Sequence, residues 1–179
     1  MPNMCLNKLK IIGEKEAVLD VIEKINNKGF YSVIEPDEET KNDSEKLFYF
    51  HKENFNVKWN IDRKDFSLLE TGYDDEKNFT ILIMFYTPYY PPTGFYEKLI
   101  KKFKVNIKAC YSEPGEVMCG YFESDDEYLH HEEYNDPIYC GFEENEEYSD
   151  TLSDKLLEEN FYLKDDEYDQ IYKEWFRTV

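Results

Sequence analysis

The sequence predicts an α+β fold in which an antiparallel sheet carries helices on one face and is followed by an acidic extension. Segments in which apolar and polar residues alternate, as in half-buried strands, are interspersed with segments whose apolar residues recur at helical spacing. The acidic residues are concentrated in the last third of the chain. Hydrophobic residues make up 41% and aromatic residues 17% of the chain, which excludes disorder along its whole length.

The first thirty residues predict a strand, a turn and a helix. Residues 5–12 alternate between apolar and polar side chains, and Gly13 ends this strand. Apolar residues at positions 17, 18, 21, 22 and 25 then recur at helical spacing. Gly29 suits the left-handed conformation that often ends a helix, so we expect the helix to stop there.

The next segment contains weaker signals. Residues 35–45 are polar, include a proline and predict a loop. Residues 47–51 and 55–61 are rich in aromatic and apolar side chains and predict two short strands. The run of charged residues at 74–78 predicts a turn.

The region from 79 to 122 completes the predicted sheet. Residues 79–86 are almost continuously apolar, which is typical of a strand buried on both faces. Residues 95–103 predict an amphipathic helix, and 105–111 and 117–122 predict a hairpin joined by the turn 113–116. The order strand–helix–strands–helix–strands predicts a ferredoxin-like antiparallel sheet with helices on one face.

The charge distribution divides the chain in two. Residues 1–110 hold 18 Asp/Glu against 17 Lys/Arg, a balance of −1, whereas residues 111–179 hold 22 against 4, a balance of −18. Because binding nucleic acid requires cations, the acidic third argues against direct nucleic-acid binding and favours a basic surface on another protein. Solubility alone is the alternative explanation of this charge. We expect a domain at 1–123 and an acidic, aromatic-rich extension at 124–179 packed on it.

The acidic extension has its own pattern. Residues 125–133 predict a helical turn or an acidic loop, and 138–142 a short strand. Leucines within 151–157 predict a helix, and aromatic and apolar residues within 168–176 predict an amphipathic helix that ends the chain.

Three motifs carry a resemblance to a known family. They are Met-Pro-Asn-x-Cys-x-Asn-x-Leu-x-Ile-x-Gly at 1–13, Phe-Tyr-Thr-Pro-Tyr-Tyr-Pro-Pro at 85–92 and Tyr-x-Glu-Pro-Gly at 111–115. Over roughly residues 1–123 the chain resembles the YubB-type ferredoxin-like domain family of phage and plasmid proteins. This resemblance implies a mobile-element origin, and such elements carry inhibitors of host defence, whose nucleases present basic nucleic-acid channels.

We therefore expect a phage- or plasmid-type inhibitor of a host defence nuclease, acting against CRISPR or restriction systems as a nucleic-acid mimic. It would bind a basic channel in the host cytoplasm, without catalysis, cofactor, metal or membrane, and its oligomeric state stays open. The carboxylates would attract the basic partner electrostatically, and the tyrosines would bury their rings against it. The expected partner-binding residues are Asp125, Asp126, Glu127, Tyr128, Glu132, Glu133, Tyr134, Glu143, Glu144, Glu146, Glu147, Tyr148, Asp165, Asp166 and Glu167.

Two other binding sites are open alternatives. Trp59, Tyr89 and Tyr90 could line a groove for a small ligand or nucleotide on the sheet face, or they could simply pack the sheet and the proline-rich turn. Four lysines on the second predicted helix could contact a phosphate, or they could form a solvated helix face. These lysines are Lys98, Lys101, Lys102 and Lys104.

Catalytic and metal sites are weaker alternatives. Clustered acids could serve a metal-dependent hydrolase or nuclease, and Cys110 or Cys119 could form a nucleophile–base pair with His51. The chain has four cysteines but no Cys-x-x-Cys pair, so zinc is disfavoured. With no signal peptide, we expect reduced thiols. No apolar run approaches the ~20 residues of a membrane span.

Overall fold

The computed structural model describes residues 3–61, 63–73, 78–113, 118–125 and 128–134. These residues form six strands and four helices, with short 3₁₀ turns at Gly29–Ser32 and Arg63–Asp65. The elements in chain order are β1 (Met4–Gly13), α1 (Lys15–Lys28), α2 (Glu38–Lys41), α3 (Ser44–Phe55), β2 (Phe66–Tyr73), β3 (Phe79–Pro88), α4 (Thr93–Phe103), β4 (Asn106–Glu113), β5 (Met118–Asp125) and β6 (Tyr128–Tyr134).

All six strands lie in one sheet, in the order β2-β3-β1-β4-β5-β6. Every neighbouring pair is antiparallel. The helices α1 and α4 make the two crossovers that place β1 between β3 and β4, which is the ferredoxin-like arrangement of β-α-β-β-α-β units. The predicted fold class is confirmed, and β5 and β6 widen the sheet on the β4 side.

The alternation of side chains gives the sheet two distinct faces. On the helix-covered face, Cys5, Leu9 and Ile11 of β1 join a buried apolar core. On the opposite face, which we call the outer face, Lys8 lies beside Cys110 and Lys10 beside Lys108. One face of the sheet is therefore apolar and the other carries charged side chains. A shift of one residue in strand register would move each side chain of a strand to the opposite face.

The core on the helix-covered face is strongly aromatic. The ring of Phe30 lies 5.6 Å from that of Phe55, 5.9 Å from Phe85 and 4.8 Å from Phe95, measured between centroids. These are the tilted and edge-on geometries that aromatic pairs prefer. Tyr96 is fully buried beside them, so the aromatic content of the sequence is used for burial.

The end of α1 is held by one loop side chain. Gly29 has φ 58°, and a Cβ there would lie 2.1 Å from the backbone oxygen of Ile61. Asn60 accepts a hydrogen bond from Phe30 N at 2.6 Å and donates one to Lys28 O at 2.9 Å. The predicted C-cap position at Gly29 is confirmed, but with ψ −133° the residue does not adopt the expected left-handed helical conformation. Its positive φ and the close approach to Ile61 both require glycine.

The strand predicted at 47–51 is wrong, because α3 occupies Ser44–Phe55. The strand predicted at 55–61 is also wrong, because residues 56–61 form an irregular connection after this helix. The side chain of Asp43 caps this helix by accepting from Glu45 N and Lys46 N. Asn56 closes it in the left-handed conformation with φ 63°. The expected loop at 35–45 is also interrupted by the short helix α2.

The helical turn or loop predicted at 125–133 is also wrong, since β6 pairs with β5 from Tyr128 to Tyr134. The sheet thus continues beyond position 123, where we expected the domain to end. Residues 135–179, with the strand and helices predicted there, lie outside the described residues. Among the residues that are described, no helix is long and apolar enough to cross a bilayer.

Candidate functional site

The expected partner-binding residues that the structure describes lie along β5 and β6. Asp125 ends β5, while Tyr128, Glu132, Glu133 and Tyr134 lie on β6, the outermost strand of the described sheet. The other ten residues fall outside the described part of the chain, and their roles stay predictions. They are Asp126, Glu127, Glu143, Glu144, Glu146, Glu147, Tyr148, Asp165, Asp166 and Glu167.

Strand alternation divides these carboxylates between the two faces of the sheet. Glu132 is paired with Tyr121 and lies on the outer face with Asp125. Glu133 lies on the helix-covered face, where its carboxylate accepts a hydrogen bond from the Tyr111 hydroxyl at 3.1 Å. We call Glu123, Asp125, Glu132 and Glu133 together the acidic edge. The acidic edge therefore presents carboxylates on both faces of the sheet.

On the outer face, the carboxylates of the acidic edge have basic neighbours. Asp125 Oδ2 lies 3.0 Å from His130 Nε2, and Glu123 Oε1 lies 3.2 Å from Lys108 Nζ. The Asp125–His130 pair is exposed, and such a pair contributes little to stability. The Glu123–Lys108 pair is partly buried. Tyr128 is 73% exposed beside them, so an apolar ring accompanies the charge.

A hydrogen-bonded chain secures the other face of the edge. The Tyr111 hydroxyl donates to Glu133, because an ionised carboxylate can only accept. His131 Nε2, 2.9 Å away, must then carry a proton and donate to the same hydroxyl oxygen. The imidazole of His131 also stacks on Phe122, with ring centroids 4.2 Å apart. This places β6 firmly against β5.

The protonation of this chain follows from its surroundings. Burial, reinforced by Glu133, raises the pKa of Tyr111 well above that of a free phenol. Burial lowers the pKa of His131, with Glu133 acting in the opposite direction. The phenol thus keeps its proton at neutral pH and serves as a donor to Glu133.

Gly120 makes this arrangement possible, and the sequence analysis missed it. A Cβ at position 120 would lie 2.5 Å from Tyr111 Oη and 2.6 Å from the backbone oxygen of Glu132. Only glycine leaves space for the phenol to cross β5 and reach β6. A glycine inside a predicted strand was the sequence signal that could have indicated this close approach.

A groove lies at the opposite edge of the outer face. It has a volume of about 660 Å³, and Trp59, Met84 and Tyr86 lie along its wall. The indole of Trp59 is 42% exposed. Of the other two aromatics expected there, Tyr89 has φ 68° and lies under the Lys58 ammonium at 4.2 Å, while Tyr90 is exposed.

Two of the four lysines proposed as a phosphate patch bond to backbone carbonyls. Lys98 Nζ donates to Asn54 O at 2.9 Å, in the last turn of α3. Lys102 Nζ donates to Ser32 O at 2.9 Å and to Val33 O at 3.1 Å. The dipole of α3 favours the Lys98 cation at its carboxyl end, whereas Lys102 binds the turn that follows α1. Both lysines therefore tie α4 to its neighbours.

The structure does not bring together the proposed nucleophile–base pair. His51 lies in the helical layer, bonded to the Tyr31 hydroxyl at 2.7 Å and to Lys58 O at 3.1 Å. Cys110 and Cys119 point to the outer face, on the other side of the sheet. Within the described ranges, no three His, Cys, Asp or Glu side chains converge as metal ligands.

The antiparallel order of β1 to β4, with both crossover helices on one face, defines the chain as a ferredoxin-like α+β protein. Its family follows from comparison with known proteins. The chain belongs to the family described as "Ferredoxin-like domain in Api92-like protein", whose model matches residues 54–172, more than half of the chain. Comparisons with curated proteins and with solved structures give no match.

Proposed function

We propose that this protein binds a basic protein surface through its carboxylate-rich C-terminal third and thereby blocks a nucleic-acid-binding site. The observation that carries the proposal is the charge asymmetry: residues 111–179 hold 22 Asp/Glu against 4 Lys/Arg. Such a field attracts a cationic surface and repels nucleic acid.

The geometry of the acidic edge supports a binding role. Glu123 and Asp125 of β5 and Glu132 of the neighbouring edge strand β6 lie on one face of the sheet, with the exposed ring of Tyr128 beside them. Aromatic anchors surrounded by charge are typical of protein interfaces. Since each exposed charge contributes only about 0–1 kcal/mol, the effect is collective.

The partner class follows from the resemblance to YubB-type domains of phages and plasmids. A mobile element gains from inactivating a host defence nuclease, and such a nuclease has a basic channel for its substrate. The acidic third would then act as a nucleic-acid mimic in the host cytoplasm. It would need no catalytic group or cofactor for this task.

Capture from a host lysate expressing CRISPR and restriction nucleases tests the proposal. We expect the tagged full chain to retain a nuclease, duplex DNA to displace it, and affinity to fall at least about tenfold between about 50 and about 200 mM salt. Replacing Asp125, Glu132 and Glu133 by their amides should weaken capture, whereas amides at Glu14, the N-cap of α1, and at Glu16 and Glu23 within α1 should not. Binding that is insensitive to salt and to DNA refutes mimicry.

The groove beside Trp59 favours a second candidate function, the binding of a small aromatic or apolar ligand. Its exposed indole suits a planar molecule that stacks on the ring, and Lys64, Asp65 and Ser67 give the rest of the lining polar groups. Screening nucleotides and aromatic metabolites by thermal shift and by tryptophan fluorescence tests it, because a ligand of the native state raises the Tm. A shift that persists unchanged in Trp59→Ala excludes this groove.

A further inference from the structure

The groove beside Trp59 collects exposed apolar side chains at the β2 side of the outer face. Met4, Trp59 and Tyr86 line it, and each of them is more than a third exposed. Met84, which is paired with Lys8 of the outer face, lines it too. Apolar side chains that are exposed together, and not singly, mark a contact site on a folded domain. The groove therefore has the surface of a binding site.

The backbone that carries the indole is fixed on both sides of Trp59. Before it, Lys58 O accepts a hydrogen bond from His51 Nδ1 at 3.1 Å, and the Lys58 ammonium lies 4.2 Å from the centre of the Tyr89 ring. After it, the two hydrogen bonds of the Asn60 side chain hold the chain to the end of α1. Because this irregular segment is ordered before a partner arrives, binding at the indole costs less entropy.

The rest of the lining is polar and carries both signs of charge. Lys64 and Asp65 belong to the 3₁₀ turn before β2, and Ser67 lies on β2. Opposite charges on adjacent residues cancel locally, so the lining alone selects neither an anion nor a cation. A carboxylate accepts several hydrogen bonds, so Asp65 can receive N–H groups of a ligand in addition to its partners within the chain.

The sign of the ligand follows from the face on which the groove lies. Glu123, Asp125 and Glu132 of the acidic edge lie on the same outer face, three to five strand spacings away, which is roughly 15–25 Å. An interface of ordinary size is roughly 30 Å across, so one partner surface can cover both places. The partner of the proposed function is basic, and it therefore brings arginine and lysine side chains to the groove.

We propose that the groove receives an arginine side chain of the basic partner, whose guanidinium stacks on the Trp59 indole and donates hydrogen bonds to Asp65. A guanidinium is planar, so it stacks on a ring while its edge presents N–H groups to a carboxylate. Among aromatic side chains the indole attracts a cation most strongly. The flexible side chains of Met4 and Met84 adapt to the aliphatic stem of the arginine. This inference rests on the proposed function, because it assigns an anchor to the partner which that function requires.

Oligoarginine and oligolysine peptides of equal length test the proposal on the full chain. The sequence has two tryptophans, so Trp175→Phe leaves Trp59 as the only source of tryptophan fluorescence. We expect the arginine peptide to change this emission and to bind about two- to thirtyfold more tightly than the lysine peptide. The lysine peptide is the control for charge, because it has the same net charge without the planar group.

Substitutions at the groove distinguish a stacking contact from a structural role. The preference for arginine, measured by titration calorimetry, should decrease from the wild type to Trp59→Phe and again to Trp59→Ala. Asp65→Asn should reduce the preference while the indole is still in place. Tyr49→Ala is the matched control, since it removes an exposed ring from α3, and it should keep the full preference. Circular dichroism verifies that each variant is folded.

The outcomes separate this inference from the proposed function. Equal affinity for the two peptides, or a preference that persists in Trp59→Ala, overturns the arginine site, and salt-sensitive binding of both peptides would still support the proposed function. If neither peptide binds, the proposed function fails together with the arginine site. Tighter binding of AMP than of the arginine peptide, lost in Trp59→Ala, would assign the groove to a small aromatic ligand and would also overturn the proposal.

Discussion

Replacing Gly120 by alanine should loosen the acidic edge and destabilise the domain. The added Cβ would lie 2.5 Å from Tyr111 Oη, 2.6 Å from Tyr111 Cε1 and 2.6 Å from the backbone oxygen of Glu132. Because Glu132 O belongs to the β5–β6 ladder, relief requires β6 to move away from β5. The bonds between the Tyr111 hydroxyl, His131 and Glu133 would be strained by the same movement.

The size of the effect follows from this crowding. Overpacking a well-packed site costs about 1–3 kcal/mol. For a chain of this length, each kcal/mol lowers the Tm by roughly 2–4 °C, so Gly120→Ala should melt about 2–12 °C below the wild type. Calorimetry or circular dichroism at several heating rates measures the difference.

Gly13→Ala is the matched control. The nearest atom to a Cβ at position 13 is Val105 Cγ1 at 3.4 Å, which is an ordinary contact. This substitution should leave the Tm unchanged or raise it slightly, because alanine reduces the entropy of the unfolded chain. A Gly120→Ala variant that melts at the wild-type temperature would falsify the described packing of Tyr111 against β6.

Three further predictions concern hydrogen bonds and protonation. Asn60→Ala should lower the free energy of unfolding by about 1–3 kcal/mol, because it leaves the amide of Phe30 and the carbonyl of Lys28 without their partner. Urea unfolding measures this loss, and an unchanged midpoint contradicts the prediction. Tyr111→Phe removes the hydroxyl that links β4 to β6 and should lower the free energy of unfolding by about 0.5–1.5 kcal/mol. Amide hydrogen exchange should accelerate more on β6 than on β1, which distinguishes this local effect from general destabilisation. Burial lowers the pKa of His51 in the folded protein, so the unfolded chain binds a proton at this imidazole more tightly. The free energy of unfolding is therefore unaffected by His51 above about pH 6.5, and it decreases as the pH falls below that value. In His51→Gln the stability should depend less on pH between about 5 and about 7; parallel curves for variant and wild type would contradict this cause.

The parts of the fold that the sequence predicts are those whose signals are local. The helical spacing of Val18, Val21, Ile22 and Ile25 and the C-cap at Gly29 indicate α1 directly. The apolar run of β3, the stripe of α4 and the β4–β5 hairpin are equally local. Their order then selects the ferredoxin-like arrangement.

The errors arise where the decisive contact is distant or the local pattern is ambiguous. In α3, four consecutive apolar residues obscure the helical period, and the capping by Asp43 was the better signal. In β6, the residues His-His-Glu-Glu suggest a loop, yet Tyr111 and Phe122 bind His131 from other strands. A single sequence does not reveal such pairing. Composition therefore predicted the acidic character of this part of the chain, but neither the edge strand β6 nor the division of its carboxylates between two faces.

That two-sided geometry limits the shape of any partner. A flat basic surface could approach Glu132 from the outer face, or Glu133 from the edge of the face that the helices cover. Either approach leaves the other carboxylate on the far side of the sheet. A partner that contacts both carboxylates must carry its cationic residues on opposite walls of a cleft that receives the edge of the sheet. A channel shaped to enclose a nucleic-acid strand has such walls, whereas an open basic plateau does not.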